Sequence, residues 1–67
     1  MKGFDWALQQ MQAHVIVRRQ AWAEKGLMLL LVNFGGDLRL CKKTKTGSIG
    51  LWNATQDDLL AVDWEAV

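Results

Sequence analysis

The segment LMLLLV, residues 27–32, is the longest strictly apolar run in the chain. Its six residues are far too few for a transmembrane helix, which needs about 20. A strand that is apolar on both faces is typical of the centre of a sheet, so we expect a central β-strand here. The turn-forming residues 33–37 that follow predict that the strand ends at this point.

The residues before the central strand have a helical and then a strand-like pattern. Four apolar residues repeat at the i, i+3, i+4, i+7 interval of an amphipathic helix: Phe4, Ala7, Leu8 and Met11. This spacing predicts a helix over residues 4–12. The β-branched residues of segment 14–18 predict a strand, and segment 21–26 has the composition of the loop that leaves it.

The second half of the chain has the pattern of a hairpin followed by a helix and a strand. Residues 38–44 and 48–52 alternate between apolar and polar positions around a turn that contains glycine, which predicts a β-hairpin. Thr55 stands three residues before an acid, as in a capping box, and predicts a short helix over about residues 56–61. Residues 62–67 alternate again and predict a terminal strand.

Together these elements predict a single α+β domain over residues 1–67: a small antiparallel sheet of about four or five strands, an N-terminal helix and a short C-terminal helix. A domain of this size buries only about 60% of the surface that its unfolded chain exposes, and such chains usually need a disulfide, a metal or association. Apolar residues make up 51% of the chain, more than one small core can cover. We therefore expect a homo-oligomer, with dimer and tetramer both open.

Cysteine and histidine are too few for a disulfide framework or a structural zinc site. The chain has one of each, Cys41 and His14, so we expect no metal and no cofactor. A chain without a disulfide suits the reducing cytoplasm, and the sequence has no signal-peptide pattern. We therefore expect a soluble cytoplasmic protein with no membrane association. No spacing brings a nucleophile, a base and an orienting group together, so we do not expect an enzyme.

Charge is distributed unevenly along the chain. Residues 1–45 contain all eight Lys and Arg with three acids, whereas residues 46–67 contain four acids and no base. A fold that pairs the two oppositely charged segments explains this pattern. The alternative is a basic patch that binds a phosphate-bearing partner.

Tryptophan is the other unusual feature, with four in 67 residues. Core packing accounts for any one of them, but a small core seldom needs four, so we expect some at a protomer interface or in a ligand pocket. Segment 18–25 combines Arg18, Arg19, Trp22 and Lys25 at the end of a predicted strand. Arginine donates paired hydrogen bonds to phosphate oxygens, and tryptophan stacks on a purine. Arg19 and Lys25 fit a solvated surface equally well.

Three blocks of the sequence resemble the family of phage and prophage proteins typified by Thoeris anti-defence protein 2. The first joins GFDWAL, residues 3–8, to VIVRRQAW, residues 15–22, and the second is KGLML, residues 25–29. The third, GSIGLWNATQDDLLAVDWE at residues 47–65, is similar to the family's C-terminal signature.

The chain also departs from that family in three places. Trp6 stands where a charged helix residue is common. Ala13 and His14 stand where many relatives have a Gly-Lys turn. The segment between Val32 and Lys43 is shorter than in longer relatives, which leaves the preferred ligand open.

The resemblance implies a phage or prophage protein that acts in the cytoplasm of the bacterial host. It implies homotetramers that bind cyclic nucleotide immune signals without turnover and so inhibit Thoeris and, in some members, CBASS defence. The ligands would be cyclic ADP-ribose isomers, cyclic oligonucleotides or both. Two alternatives remain open: a single-stranded nucleic-acid-binding module, although we do not favour nucleic acid as the partner, and a module that binds a host protein.

Five residues are our candidates for ligand binding. Phe4 and Trp22 would stack on the bases, and Arg18 would donate to phosphate. Thr55 and Asp58 would contact ribose or polar base edges. Helix capping explains these last two residues nearly as well.

Overall fold

The apolar run at residues 27–32 lies in the middle strand of a five-stranded sheet. The computed structural model describes residues 2–67. Its elements are α1 (Phe4–Gln12), β1 (Val17–Arg19), the 3₁₀-helix η1 (Gln20–Lys25), β2 (Met28–Phe34), β3 (Asp37–Lys43), β4 (Ile49–Leu51), α2 (Gln56–Leu60) and β5 (Trp64–Ala66). The strands pair antiparallel in the order β4-β3-β2-β1-β5. The predicted α+β class, the central strand and the hairpin are confirmed.

The core lies between this sheet and the helices on one of its faces. α1 packs against β5, β1, β2 and α2, and its apolar stripe contributes Ala7 and Met11 to the core. The sheet contributes Val17, Leu29 and Trp64, and η1 contributes Trp22. We call this the helix-side face.

The opposite face of the sheet is also apolar, although no described helix packs on it. Leu29 faces the core, so its strand neighbours point to the other side. We call this second surface the open face, and its apolar residues are Met28, Leu30, Val32, Phe34, Cys41, Ile49 and Leu51. Antiparallel sheets usually carry polar residues on a solvated face. The open face therefore carries more apolar side chains than a solvated face usually does, next to polar residues such as Arg39 and Lys43.

The strand predicted over residues 14–18 begins later, at Val17, because the end of α1 uses the preceding residues. His14 N donates to Met11 O at 3.0 Å, and Val15 N donates to Gln10 O at 2.9 Å. This is the hydrogen-bond pattern of a Schellman motif, which requires a left-handed residue at its C′ position. His14 occupies that position with φ 66°.

The segment predicted as a loop over residues 21–26 is instead the 3₁₀-helix η1. Gly26 ends it in the left-handed conformation, with φ 67°. The N-terminal helix matches its prediction, and the C-terminal helix ends one residue before the predicted boundary. The terminal strand is shorter than residues 62–67 and covers Trp64–Ala66.

Candidate functional site

Four aromatic side chains form a continuous cluster on the helix-side face. Trp64 is its centre, with ring centroids 5.2 Å from Trp22, 5.4 Å from Phe4 and 6.3 Å from Trp52. Phe4 and Trp52 also contact each other, at 5.7 Å with an interplanar angle of 32°. Edge-to-face contacts of this kind add stability beyond the area they bury. We call these four residues the aromatic cluster.

Exposure divides the aromatic cluster into two inner and two outer rings. Trp64 is 2% exposed and Trp22 is 8% exposed, so both are core residues. Phe4 and Trp52 are only half-buried. A ligand that stacks on this protomer would therefore reach Phe4 and Trp52 before it reached Trp22.

One guanidinium connects three elements beside the aromatic cluster. Arg19 Nη1 donates to Asp58 Oδ1 at 2.8 Å, and its Nε donates to Asp63 Oδ1 at 2.8 Å. Asp63 Oδ2 also accepts from Ala21 N at 3.4 Å. Trp64 Nε1 donates to the backbone oxygen of Asp58 at 3.1 Å, which ties the network to the cluster.

Arg19 and Asp63 shift each other's pKa in opposite directions. The hydrogen bond from Arg19 is the main reason that the pKa of Asp63 lies below its usual value. Hydrogen bonds to Asp63 and then Asp58 raise the pKa of Arg19, so it stays charged. Among the described residues, Asp58 is the one charged residue that is buried. The network thus compensates a buried charge and fixes α2 to the sheet.

Thr55 and Asp58 lie together at the start of α2. Thr55 Oγ1 accepts a hydrogen bond from Asp58 N at 3.2 Å, which confirms the predicted cap. The Thr55 residue is exposed, whereas the Asp58 carboxylate is engaged by Arg19. Of these two candidates, Thr55 is the more accessible to a ligand.

Arg18 lies on the open face, away from the other four candidates. It pairs with Glu65 across β1 and β5, and its Nε donates to Glu65 Oε2 at 2.7 Å. The structure therefore brings Phe4, Trp22, Thr55 and Asp58 to the helix-side face and leaves Arg18 on the other. Ligand binding by the five residues stays a prediction.

Trp52 and Arg19 are site residues that are not among the five candidates, although the sequence analysis names Arg19 as a cation of segment 18–25. Arg19 follows Val17 by two positions, so strand alternation with a core residue was an available signal for its orientation. Trp52 likewise follows Gly50 by two positions, immediately after a short strand. Only tertiary packing against Phe4 and Trp64 brings it into the aromatic cluster.

Neither a metal centre nor a membrane-spanning helix is found within residues 2–67. No three His, Cys, Asp or Glu side chains in that range are grouped so that they could hold a metal ion. Its helices are all too short or too polar to cross a bilayer.

An antiparallel sheet with both α-helices on one face and an indole-rich cluster beneath them defines a small α+β domain with an aromatic site. The sequence profile of the Tad2-like domain, described as Thoeris anti-defense 2-like, matches residues 3–67. The chain belongs to this family, as its three sequence blocks predict, and membership supports a role in Thoeris anti-defence. No curated protein matches the chain at a significant level.

Proposed function

We propose that this protein binds cyclic nucleotide immune signals and sequesters them without turnover in the cytoplasm of a bacterial host. Sequestration would lower the free concentration of a signal and so prevent it from reaching its effector. Because such a protein acts by mass action, it needs high affinity, and nanomolar binding corresponds to about −12 kcal/mol.

The half-buried rings of Phe4 and Trp52 carry this proposal. Both rings pack against the buried indole of Trp64, which in turn packs against Trp22, so their faces are preorganised for stacking. Nucleobases offer flat π-surfaces to such rings. Family membership in Thoeris anti-defence directs the choice among planar ligands toward nucleotide signals.

Binding without catalysis fits the two residues with neutral-pH chemistry. The Cys41 thiol is fully buried on the sheet, where a substrate could not reach it. His14 is exposed at the end of α1, where its backbone completes the helix terminus. We therefore propose that the ligand is held and released chemically intact.

Self-association would cover the exposed apolar surfaces of the protomer, and we propose a homotetramer. The open face offers one apolar surface, with Phe34 51% and Leu51 61% exposed. A second apolar surface lies around α2, with Leu59 47%, Leu60 71% and Val62 51% exposed. A dihedral tetramer uses two distinct self-complementary interfaces, and the chain has two separate candidate surfaces.

The test is to expose the purified protein to a lysate that contains an activated defence enzyme and then to heat-release the bound material for mass spectrometry. We expect an intact cyclic nucleotide in stoichiometric amount. A chemically altered product would indicate an enzyme, and no nucleotide at all would overturn the proposal.

Single-stranded nucleic acid is the competing ligand, because four lysines lie near one end of the sheet: Lys25, Lys42, Lys43 and Lys45. Oligonucleotide binding on such a surface loses affinity steeply with added salt. Capture of a compact cyclic ligand between rings has a shallower dependence. Titration at two salt concentrations with an oligonucleotide and a cyclic nucleotide therefore separates the two functions.

A further inference from the structure

The register of β3 and β4 places a lysine opposite a glycine on the helix-side face. Lys42 pairs with Gly50 across these strands and with Leu29 across β2 and β3. Leu29 is fully buried in the core. Because directly paired residues project from the same face of a sheet, Lys42 also projects from the helix-side face.

Trp52 lies on that same face, two residues beyond Gly50. Its backbone N donates to Leu40 O at 3.0 Å, which extends the β3–β4 pairing by one step. Its indole packs against Phe4 and Trp64. Diagonal neighbours on paired strands lie about 7–8 Å apart. A ribose could therefore span the distance between the Lys42 side chain and the Trp52 indole.

The space between Lys42 and Trp52 is open. A Cβ added at Gly50 would meet no heavy atom within 4 Å, and the backbone there is not in the left-handed region. The β4 backbone therefore does not require a glycine at this position. A glycine inside a strand often marks a site where a ligand or another backbone approaches closely.

The Lys42 ammonium is available to an anion from outside the protomer. Lys42 is exposed, and among residues 2–67 no carboxylate lies within ion-pair distance of it. Arg19, the other cation that projects from this face nearby, is already engaged by Asp58 and Asp63. Lys42 is thus an uncommitted cation on the face that carries the aromatic cluster.

We infer that Lys42, Gly50 and Trp52 form a binding subsite for a nucleoside phosphate. The base stacks on the outer face of Trp52, the sugar occupies the open space next to Gly50, and the Lys42 ammonium binds the phosphate. This inference rests on the proposed function and adds three residues to the site. Lys42 also gives the ligand a cation on the helix-side face, whereas Arg18 projects from the open face.

Binding is measured by calorimetry with cyclic ADP-ribose and ADP-ribose as probes, using the assembled wild-type protein and four variants. We expect Lys42→Ala to weaken binding at least 10-fold and Lys42→Arg to keep it within about 3-fold. Gly50→Val should weaken binding at least 10-fold because the valine side chain fills the open space next to residue 50. Thermal unfolding of Gly50→Val should match the wild type, since a β-branched residue suits a strand.

Lys43→Ala is the matched control. It removes the same charge from the adjacent residue, which projects from the open face, and binding should change less than 2-fold. Equal losses for Lys42→Ala and Lys43→Ala, or unchanged binding by Gly50→Val, would overturn the subsite while leaving sequestration intact. If the wild type binds neither these probes nor any nucleotide from the activated lysate, the proposed function and the subsite both fall.

Discussion

Arg19 and Asp58 are joined by a 2.8 Å contact between Nη1 and Oδ1, which holds the first turn of α2 against the end of β1. The same guanidinium donates through Nε to Asp63, just before β5. The guanidinium of β1 therefore holds both the start of α2 and the residue before β5, two positions that lie about 40 residues further along the chain. The adjacent arginine, Arg18, makes a single pair with Glu65 on the opposite face.

Replacing each arginine with lysine should separate these two roles. Lysine has one ammonium and cannot reproduce two donors in a fixed fork, so Arg19→Lys should lower the free energy of unfolding by about 1–3 kcal/mol. Arg18→Lys should cost about 0–1 kcal/mol, as expected for a half-exposed pair. Urea denaturation at one fixed protomer concentration measures both, and equal costs would contradict the network's role.

Acid should weaken the network through Asp63. Its folded-state pKa is lowered, mainly by the hydrogen bond from Arg19, so its contribution is fully present above the unfolded-state pKa of about 3.9. That contribution is lost as the pH falls through the lower folded-state value. Asp63→Asn should show a flatter dependence of the urea midpoint on pH below about 4. A variant curve parallel to that of the wild type would exclude Asp63 as a source of the acid sensitivity.

Gly26 and Gly50 should respond oppositely to alanine. A Cβ at Gly26 would lie 2.6 Å from Lys45 Cβ, and φ there is +67°, so Gly26→Ala should cost about 1–3 kcal/mol. Gly50 has open space and no such backbone constraint. Gly50→Ala should therefore be neutral or stabilising by up to about 1 kcal/mol. Thermal unfolding compares the two, and a neutral Gly26→Ala would show that the turn relaxes freely.

His14→Gly should stabilise the protein by about 0.5–1 kcal/mol. His14 adopts φ 66° at the end of α1, a conformation that costs non-glycine residues about 1–2 kcal/mol. His14→Ala keeps that strain and loses only the exposed imidazole, so it is the matched control. A gain in chemical-denaturation midpoint for both variants would assign the effect to the side chain instead of the backbone.

Two lysine substitutions should take the proposed tetramer apart at different interfaces. Leu51→Lys places a charge on the open face, and Leu60→Lys places one beside α2, where each leucine is now exposed. Each variant alone should give dimers, and the double variant should give folded monomers. Light scattering coupled to size exclusion measures the mass. Unchanged mass for both single variants would remove these surfaces as interfaces.

Sequence patterns predicted the elements whose cause is local. The helical spacing of apolar residues set α1, the cap at Thr55 set the start of α2, and the apolar run at residues 27–32 set the central strand. Each depends on residues within a few positions of one another. The left-handed turn at His14 was harder to foresee because histidine is not the usual residue there.

Tertiary structure decided which residues of different strands lie side by side on a face. Strand side chains alternate with a period of two, so moving one residue along the chain exchanges the faces. This is why Arg19 binds Asp58 while Arg18 points away from the aromatic cluster. The neighbourhood of Lys42 and Trp52 likewise depends on the β3–β4 register. The sequence by itself determined the family and the local elements, whereas long-range pairing decided which of its cations stands beside its rings, because register is set by contacts between distant segments.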